Sequence, residues 1–383
     1  PEVLSTRILP NLVDLASRNQ VGADRDGLFS LIQKDINSYD IETELAPLDL
    51  RGYRLGALCD GKRGFLSAQG LWNVGVRSAQ DVVRVLPSHP ELLRTVPAFL
   101  WVQVAEACPQ SCSYCPYPQL AGDPRGKKGY MPLERFESVM EQAERLCDEL
   151  VVDLSLWGEP ALHPDFLGLA RSVLARNRFT LIVETSGIGW APGVAEAVAK
   201  LGGTRVHWIV SLDDPDPSSY AALRGEGMEE ALAFAKQMAS LAPGQIHAQA
   251  VRMKGNEERL ESFYRTWKKD IDKVIVQKYD SFAGALPDLS VADLSPLERY
   301  PCRHLARDMA VLLDGSVPPC KHCLVKSDEE AGRLSYAASL GNAFEPEGLR
   351  KAWEAGGSWY GRHTGKDYPA FCEACDEYHT FNA

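Results

Sequence analysis

The sequence predicts an α/β protein: a partial (β/α)6 barrel at its centre, a cysteine-rich metal domain after it and an α/β extension before it. Three observations predict this. Six short apolar runs alternate with amphipathic stretches between residues 99 and 278, eight of the ten cysteines are clustered, and the chain turns rich in turn residues after 278. The strand-like runs cover 100–106, 150–156, 180–184, 206–212, 246–252 and 274–277. Helix patterns fall between them at 133–147, 165–176, 191–200, 227–242 and 257–268. Strand then helix, repeated, implies parallel strands joined by crossovers. In such folds the functional groups sit on loops leaving the C-terminal ends of the strands.

Three domains follow from this reading: 1–98, 99–278 and 279–383. The first has helical segments such as 27–36 and no chemical motif. Its residues 44–66 carry Arg51, Arg54, Lys62 and Arg63 among apolar residues, with no complete glycine-rich phosphate loop, so a structural or vestigial role is expected. The chain opens at Pro1 rather than Met, as a trimmed or partial chain would.

Composition bounds the function. The 383 residues are 45% hydrophobic and 24% charged, and 41 basic against 52 acidic residues give a net charge of −11. That sign does not suit a nucleic-acid partner, whose phosphates call for a basic surface. No apolar run reaches the roughly 18 residues of a membrane span. No secretion signal is recognised, so a cytoplasmic protein is expected and the cysteines read as metal ligands rather than disulfides. Cys59 and Cys147 are exceptions. Cys147 shares an apolar helix face with Phe136, Met140 and Ala143, where a small hydrophobe fits.

After the first strand comes Cys108-Pro-Gln-Ser-Cys112-Ser-Tyr-Cys115. Three thiolates on one short loop can hold a four-iron cluster with one iron left open, whereas closed clusters use four. A zinc site would need a fourth ligand nearby, and the loop offers none. Each later strand is also followed by polar residues: Trp157-Gly158-Glu159-Pro160, Glu184-Thr185-Ser186-Gly187, Ser211-Leu212-Asp213-Asp214 and Val251-Arg252-Met253 with Asn256 as a helix cap. Arg224 ends the run Tyr220-Ala-Ala-Leu-Arg224-Gly225. Singly, each has a bland reading as a helix start, a turn or an ion pair.

The spacing C-x3-C-x2-C resembles the signature of the radical S-adenosylmethionine (radical SAM) superfamily, and the ordered motifs extend the likeness over about 100–277. The resemblance implies a partial TIM-like barrel, a 4Fe–4S cluster on Cys108, Cys112 and Cys115, and bound S-adenosylmethionine. It places Tyr114 and Val251 near the adenine, Gly158 and Glu159 at the methionine amine, and Glu184 near the cofactor. Ser211 falls at the ribose and Arg224 at the carboxylate. Trp157 replaces the first Gly of the family's Gly-Gly-Glu segment.

The last third carries Cys302, Cys320, Cys323, Cys372 and Cys375. Cys302 and Cys320 bracket an expected hairpin, with 309–313 as its first strand and Asp314-Gly315 as its turn. The run C-x12-G-x4-C resembles the start of SPASM and twitch domains. With Cys372-x2-Cys375 it is similar to the single-cluster twitch arrangement of the aminocyclitol dehydrogenase of butirosin biosynthesis. The overall order resembles spirochaete SPASM-like proteins, whose upstream segment makes residues 1–98 read as the remnant of a nucleotidyltransferase-like domain. The resemblance implies one auxiliary 4Fe–4S cluster on Cys302, Cys320, Cys372 and Cys375, with Cys323 spare. A zinc ribbon of Cys320-x2-Cys323 and Cys372-x2-Cys375 is the competing reading, and it leaves Cys302 unexplained.

The implied function is reductive cleavage of S-adenosylmethionine to a 5′-deoxyadenosyl radical and hydrogen abstraction from a substrate. Oxidation of a small molecule is the leading reading. The partners implied are that substrate and a low-potential electron donor such as flavodoxin or ferredoxin, with no nucleic acid and no membrane. Modification of a ribosomal peptide is one alternative. A non-catalytic iron–sulfur or zinc protein is another. The residue that removes the substrate's proton is not identifiable, although Glu184, Gln277 and Tyr279 stand at strand ends.

Overall fold

The computed structural model describes residues 5–19, 31–40, 48–56, 58–271, 273–328 and 332–380. The chain divides into two compact units, Pro1–Asp49 and Leu50–Ala383. In the first, the helix Leu9–Asn19 turns Leu12 and Ala16 into a small core with Leu31 and Ile32. The expected helix at 27–36 lies partly outside the described residues. Of its described part, 31–34 is helical and Ile36–Ser38 is a 3-10 turn.

The second unit is built on a seven-stranded parallel sheet, ordered β6-β5-β4-β3-β2-β1-β7. Its strands are β1 (Phe99–Val102), β2 (Leu150–Asp153), β3 (Phe179–Thr185), β4 (Val206–Ser211), β5 (Ile246–Arg252), β6 (Lys273–Lys278) and β7 (Asp308–Val311). Six are those the sequence predicts, and the five expected helices lie between them. A further helix, Pro217–Arg224, precedes the one over Met228–Leu241.

β7 corrects the sequence reading. The apolar run near 309 was expected to open a hairpin, but it pairs in parallel with β1, from Phe99 opposite Asp308 to Val102 opposite Val311. The turn at Asp314-Gly315 does form, and Gly315 N–H donates to Leu312 O at 2.9 Å. Among the described residues no return strand pairs with β7. All four residues of β7 are buried, which the sheet provides and an exposed hairpin limb would not. Cys302 and Cys320 therefore do not flank a hairpin. An antiparallel pair, β8 (Leu324–Asp328) and β9 (Arg333–Tyr336), stands apart as a second sheet.

Alternation along the strands creates two faces. Leu100, Val102, Val152, Leu181, Val183, Trp208, Val210, Ala248 and Ala250 point outward into the large core beneath the helices. Burying each large side chain there contributes about 2 kcal/mol. Trp101, Asp153, Ile182, Glu184, Ile209, Gln249, Ile275 and Gln277 point the other way and line one inner cavity of about 440 Å³. The sheet thus carries a dry outer face and an inner face with polar groups among its aromatic and aliphatic ones.

Candidate active site

The three cysteines of the first cluster occupy the loop leaving β1. Its backbone is pinned to the end of the helix Pro217–Arg224: Ser111 N–H donates to Arg224 O and Ser113 N–H to Leu223 O, each at 2.9 Å. Cys115 N–H closes onto Cys112 O at 3.1 Å. Burial pushes all three thiols up, Cys108 to about 12. Backbone N–H groups of Gln110 and Tyr117 oppose this by donating to the sulfurs of Cys108 and Cys115. Buried sulfurs that receive amide donors suit metal-bound thiolates, whose negative charge the metal neutralises.

Every residue predicted for the cofactor lines the same cleft as these cysteines: Tyr114, Gly158, Glu159, Glu184, Ser211, Arg224 and Val251. Gly158 has φ +78°, and a Cβ there would sit 2.2 Å from Ala105 O. Glycine is required at this point, where Glu159 N–H donates to Ala107 O at 2.7 Å. The Glu159 carboxylate is buried and accepts four hydrogen bonds: from Ala161 N–H (3.2 Å), Thr185 Oγ1 (2.5 Å), Ser186 N–H (2.8 Å) and Ser186 Oγ (2.6 Å). Burial pushes its carboxyl up against those donors. Glu184 accepts from Gln249 Nε2 at 2.6 Å.

Arg224 is neither exposed nor alone. Its Nη1 lies 2.7 Å from Asp213 Oδ2 and 2.5 Å from Tyr114 Oη, and its Nε donates to Gln110 Oε1 at 3.0 Å. Asp213 adopts a left-handed φ of 51° and also accepts from Val251 N–H at 2.9 Å. Asn256 stands at the N-cap of the 3-10 turn Glu257–Arg259, where a cap was expected, but its side chain makes no capping bond and instead bridges Met253 N–H (2.9 Å) and Val251 O (2.7 Å), bracing the loop after β5.

Trp157 fills the place of the missing glycine with an indole stacked parallel to Tyr117, centroids 6.0 Å apart. Its Nε1 donates to Tyr336 Oη on β9 at 2.8 Å, and Phe282 packs on it at 5.6 Å. Tyr336 and Phe282 lie more than 120 positions away along the chain, so no local pattern points to them.

Behind this aromatic wall Cys302, Cys320, Cys323, Cys372 and Cys375 line a second cavity. Amide donors reach Cys320 from His322 and Cys375 from Glu377, each at 3.4 Å. Burial pushes Cys302 up to about 11 and Cys372 to about 12. His322 links the two sites. Its Nδ1 is 3.2 Å from Cys320 Sγ and its Nε2 2.8 Å from Oδ2 of Asp280, which lines the first cleft. Asp280, held down to about 2 despite its burial by His322 and Lys321, forms a group with His322 and Glu377 whose ligand atoms lie within 4.8 Å of one another. The Lys278 ammonium already pairs with Glu377 and, at 2.7 Å, with Asp376, so this group is an ion-pair network.

Residues 102–264 match the Radical SAM superfamily. An uncharacterized protein of Treponema pallidum (strain Nichols) is 35% identical over 373 residues, covering 93% of this chain and 98% of that protein. The structure of Streptococcus suis SuiB bound to precursor peptide SuiA resembles this one with a TM-score of 0.56 at 16% identity, covering 92% of this chain and 83% of that one. Native anSMEcpe with bound AdoMet and Cp18Cys peptide gives 0.50 at 14% identity, covering 75% and 84%. The chain belongs to the radical SAM superfamily. Membership implies a 4Fe–4S cluster and S-adenosylmethionine, and the parallel sheet is consistent with the superfamily's partial barrel.

Proposed function

We propose that the chain is a radical SAM oxidoreductase acting on a small molecule with the help of one auxiliary 4Fe–4S cluster. The observation that carries this reading is the convergence of Cys302, Cys320, Cys372 and Cys375 on one cavity that the Asp280–His322 contact joins to the cofactor cleft. When bound, the reduced first cluster and S-adenosylmethionine would supply, at the cost of one electron from the external donor, a radical able to accept a substrate hydrogen atom, and the second cluster would supply an acceptor for the remaining electron as the substrate's proton passes to solvent.

The chain's own residues hold and shield. Cys108, Cys112 and Cys115 would be the ligands of the first cluster. Gly158 and Glu159 would meet the methionine amine, Arg224 its carboxylate and Ser211 the ribose, while Tyr114 and Val251 would flank the adenine and Glu184 would stand beside the cofactor. Trp157, Tyr117 and Phe282 keep water from the space between the two cysteine sites. The inner cavity below, with Asp153, Glu184, Gln249 and Lys321 in its wall, receives the substrate. A zinc ribbon of Cys320, Cys323, Cys372 and Cys375 would leave Cys302, which lines the same cavity, without a role.

Among the described residues no helix is long and apolar enough to cross a membrane. The reading places the enzyme in the reducing cytoplasm, with flavodoxin or ferredoxin as donor. The test is anaerobic: reduced protein is given S-adenosylmethionine and a metabolite extract, and products are read by mass spectrometry. Release of 5′-deoxyadenosine together with a metabolite lighter by two hydrogens supports the reading. Product formation only with peptides overturns the substrate class.

A further inference from the structure

The helix Gly348–Thr364 is anchored in the large core by Leu349, Ala352 and Trp353. Its last turns leave that core for the five-cysteine cavity, where Tyr360 packs with Cys302, and Trp359 and Cys320 lie against the same group. His363, next to last in the helix, lines the cavity wall. It is 2% exposed, and neither of its ring nitrogens has a hydrogen-bond partner among the described residues. Tyr368 meets its ring edge-on, with centroids 5.1 Å apart. The other two histidines of that wall are engaged. His304 is held by Asp308 at 2.6 Å and Thr380 at 3.2 Å, and His322 by Asp280 and Cys320. Arg299 adds a second unmet donor. Its Nη groups hold the carbonyls of Cys372 and Glu373, while its Nε is buried without a partner.

Leaving an imidazole buried with both nitrogens bare is unfavourable, and native interiors rarely do so. Neutral or protonated, the ring carries at least one N–H. The acceptors that converge on the same wall are sulfurs, those of the five cysteines. A cluster held by thiolates is electron-rich, and hydrogen bonds to its sulfurs help set its reduction potential. Reduction adds negative charge to the sulfurs, so an N–H donor stabilises the reduced form more than the oxidised one.

We propose that His363 donates a hydrogen bond to a sulfur of the auxiliary cluster and raises its reduction potential. The inference rests on the auxiliary-cluster reading and adds to it a residue that is not a ligand. In the proposed oxidation the cluster takes up one electron as the substrate's proton passes to solvent, and a higher potential makes that uptake more favourable.

The experiment is a redox titration of the anaerobically reconstituted full-length protein, followed by electron paramagnetic resonance. The auxiliary signal is the one that persists in the triple variant Cys108→Ala, Cys112→Ala, Cys115→Ala. His363→Phe keeps an aromatic ring against Tyr368 and removes both nitrogens. It is expected to retain about eight irons and to disfavour reduction of the auxiliary cluster about tenfold, a fall of about 59 mV for one electron. His363→Gln, which retains an N–H, falls by a clearly smaller step. If His363→Phe does not fold, His363→Leu is measured in its place with the same expectation. An unchanged midpoint at full iron content overturns the proposal. So does a Gln variant that falls as far as the Phe variant, since packing rather than the donor then sets the potential. Loss of auxiliary iron from folded His363→Phe makes His363 a ligand and overturns it as well. Wild-type protein that never holds more than about four irons is a different failure, for it removes the auxiliary cluster itself and the proposal with it.

Discussion

Arg224 and Asp213 form an ion pair at 2.7 Å whose side chains are 6% and 1% exposed. Because Arg224 also offers its carbonyl to Ser111 N–H, one residue fixes the cluster loop by its backbone and the loops after β4 and β5 by its side chain, through Asp213. That makes it a positioning residue.

Arg224→Ala leaves Asp213 charged and buried without its partner. The expected cost is about 3–5 kcal/mol, read as a lower urea midpoint, together with weaker binding of S-adenosylmethionine. The double variant Arg224→Met with Asp213→Asn recovers part of the stability, since Asn tolerates the left-handed φ at that position. An unchanged midpoint in Arg224→Ala means the pair is not formed in solution.

Anaerobically reconstituted protein is expected to hold about eight irons, and the triple variant Cys108→Ala, Cys112→Ala, Cys115→Ala about four. Dithionite-reduced wild type then releases 5′-deoxyadenosine slowly without substrate, and the triple variant releases none. One cluster's worth of iron with stoichiometric zinc in the wild type removes the auxiliary cluster from the account.

Cys302→Ala loses the auxiliary iron and turnover while idle cofactor cleavage continues. Cys323→Ala retains about four auxiliary irons, because four thiolates close a cluster and a fifth is not needed. Cys323 shares the cavity with the other four, so iron analysis of these two single variants identifies which four bind. A zinc ribbon gives the reverse order of sensitivity.

Asp153 faces the inner cavity and is 3% exposed. Burial, and then the charge of Glu184, pushes its carboxyl up to about 7. Its value in the unfolded chain is about 3.9. Between those values the folded protein keeps a proton that the unfolded chain releases, so stability falls as pH rises through that window. Asp153→Asn is expected to flatten the decline, measured as urea midpoints from pH 4 to pH 8. Parallel profiles for the two proteins mean that Asp153 is already ionised at the acidic end.

The residues of the cofactor cleft were legible in the sequence because their chemistry is local. Three cysteines fit one loop, and each later motif follows its own strand. What the sequence did not show depends on distance. Trp157 meets Tyr336 across 179 positions, and no period or spacing encodes such a contact. Asp213 and Arg224 were both visible, but only the helix Pro217–Arg224 turns them toward each other. The misread hairpin has the same origin. Asp314-Gly315 is a strong local turn signal, whereas the partner of β7 is β1, far up the chain.

The place of β7 also has a consequence for synthesis. β1 emerges from the ribosome about 200 residues before the strand that covers its free edge, a delay on the order of 10–40 s at ordinary elongation rates. Throughout that interval Phe99, Leu100, Trp101 and Val102 present an apolar strand with one row of unpaired backbone groups, the kind of edge on which chains aggregate. A barrel cut off at residue 278 makes that interval permanent, so the nascent chain and the truncated one share one vulnerability, and only the complete protein outgrows it.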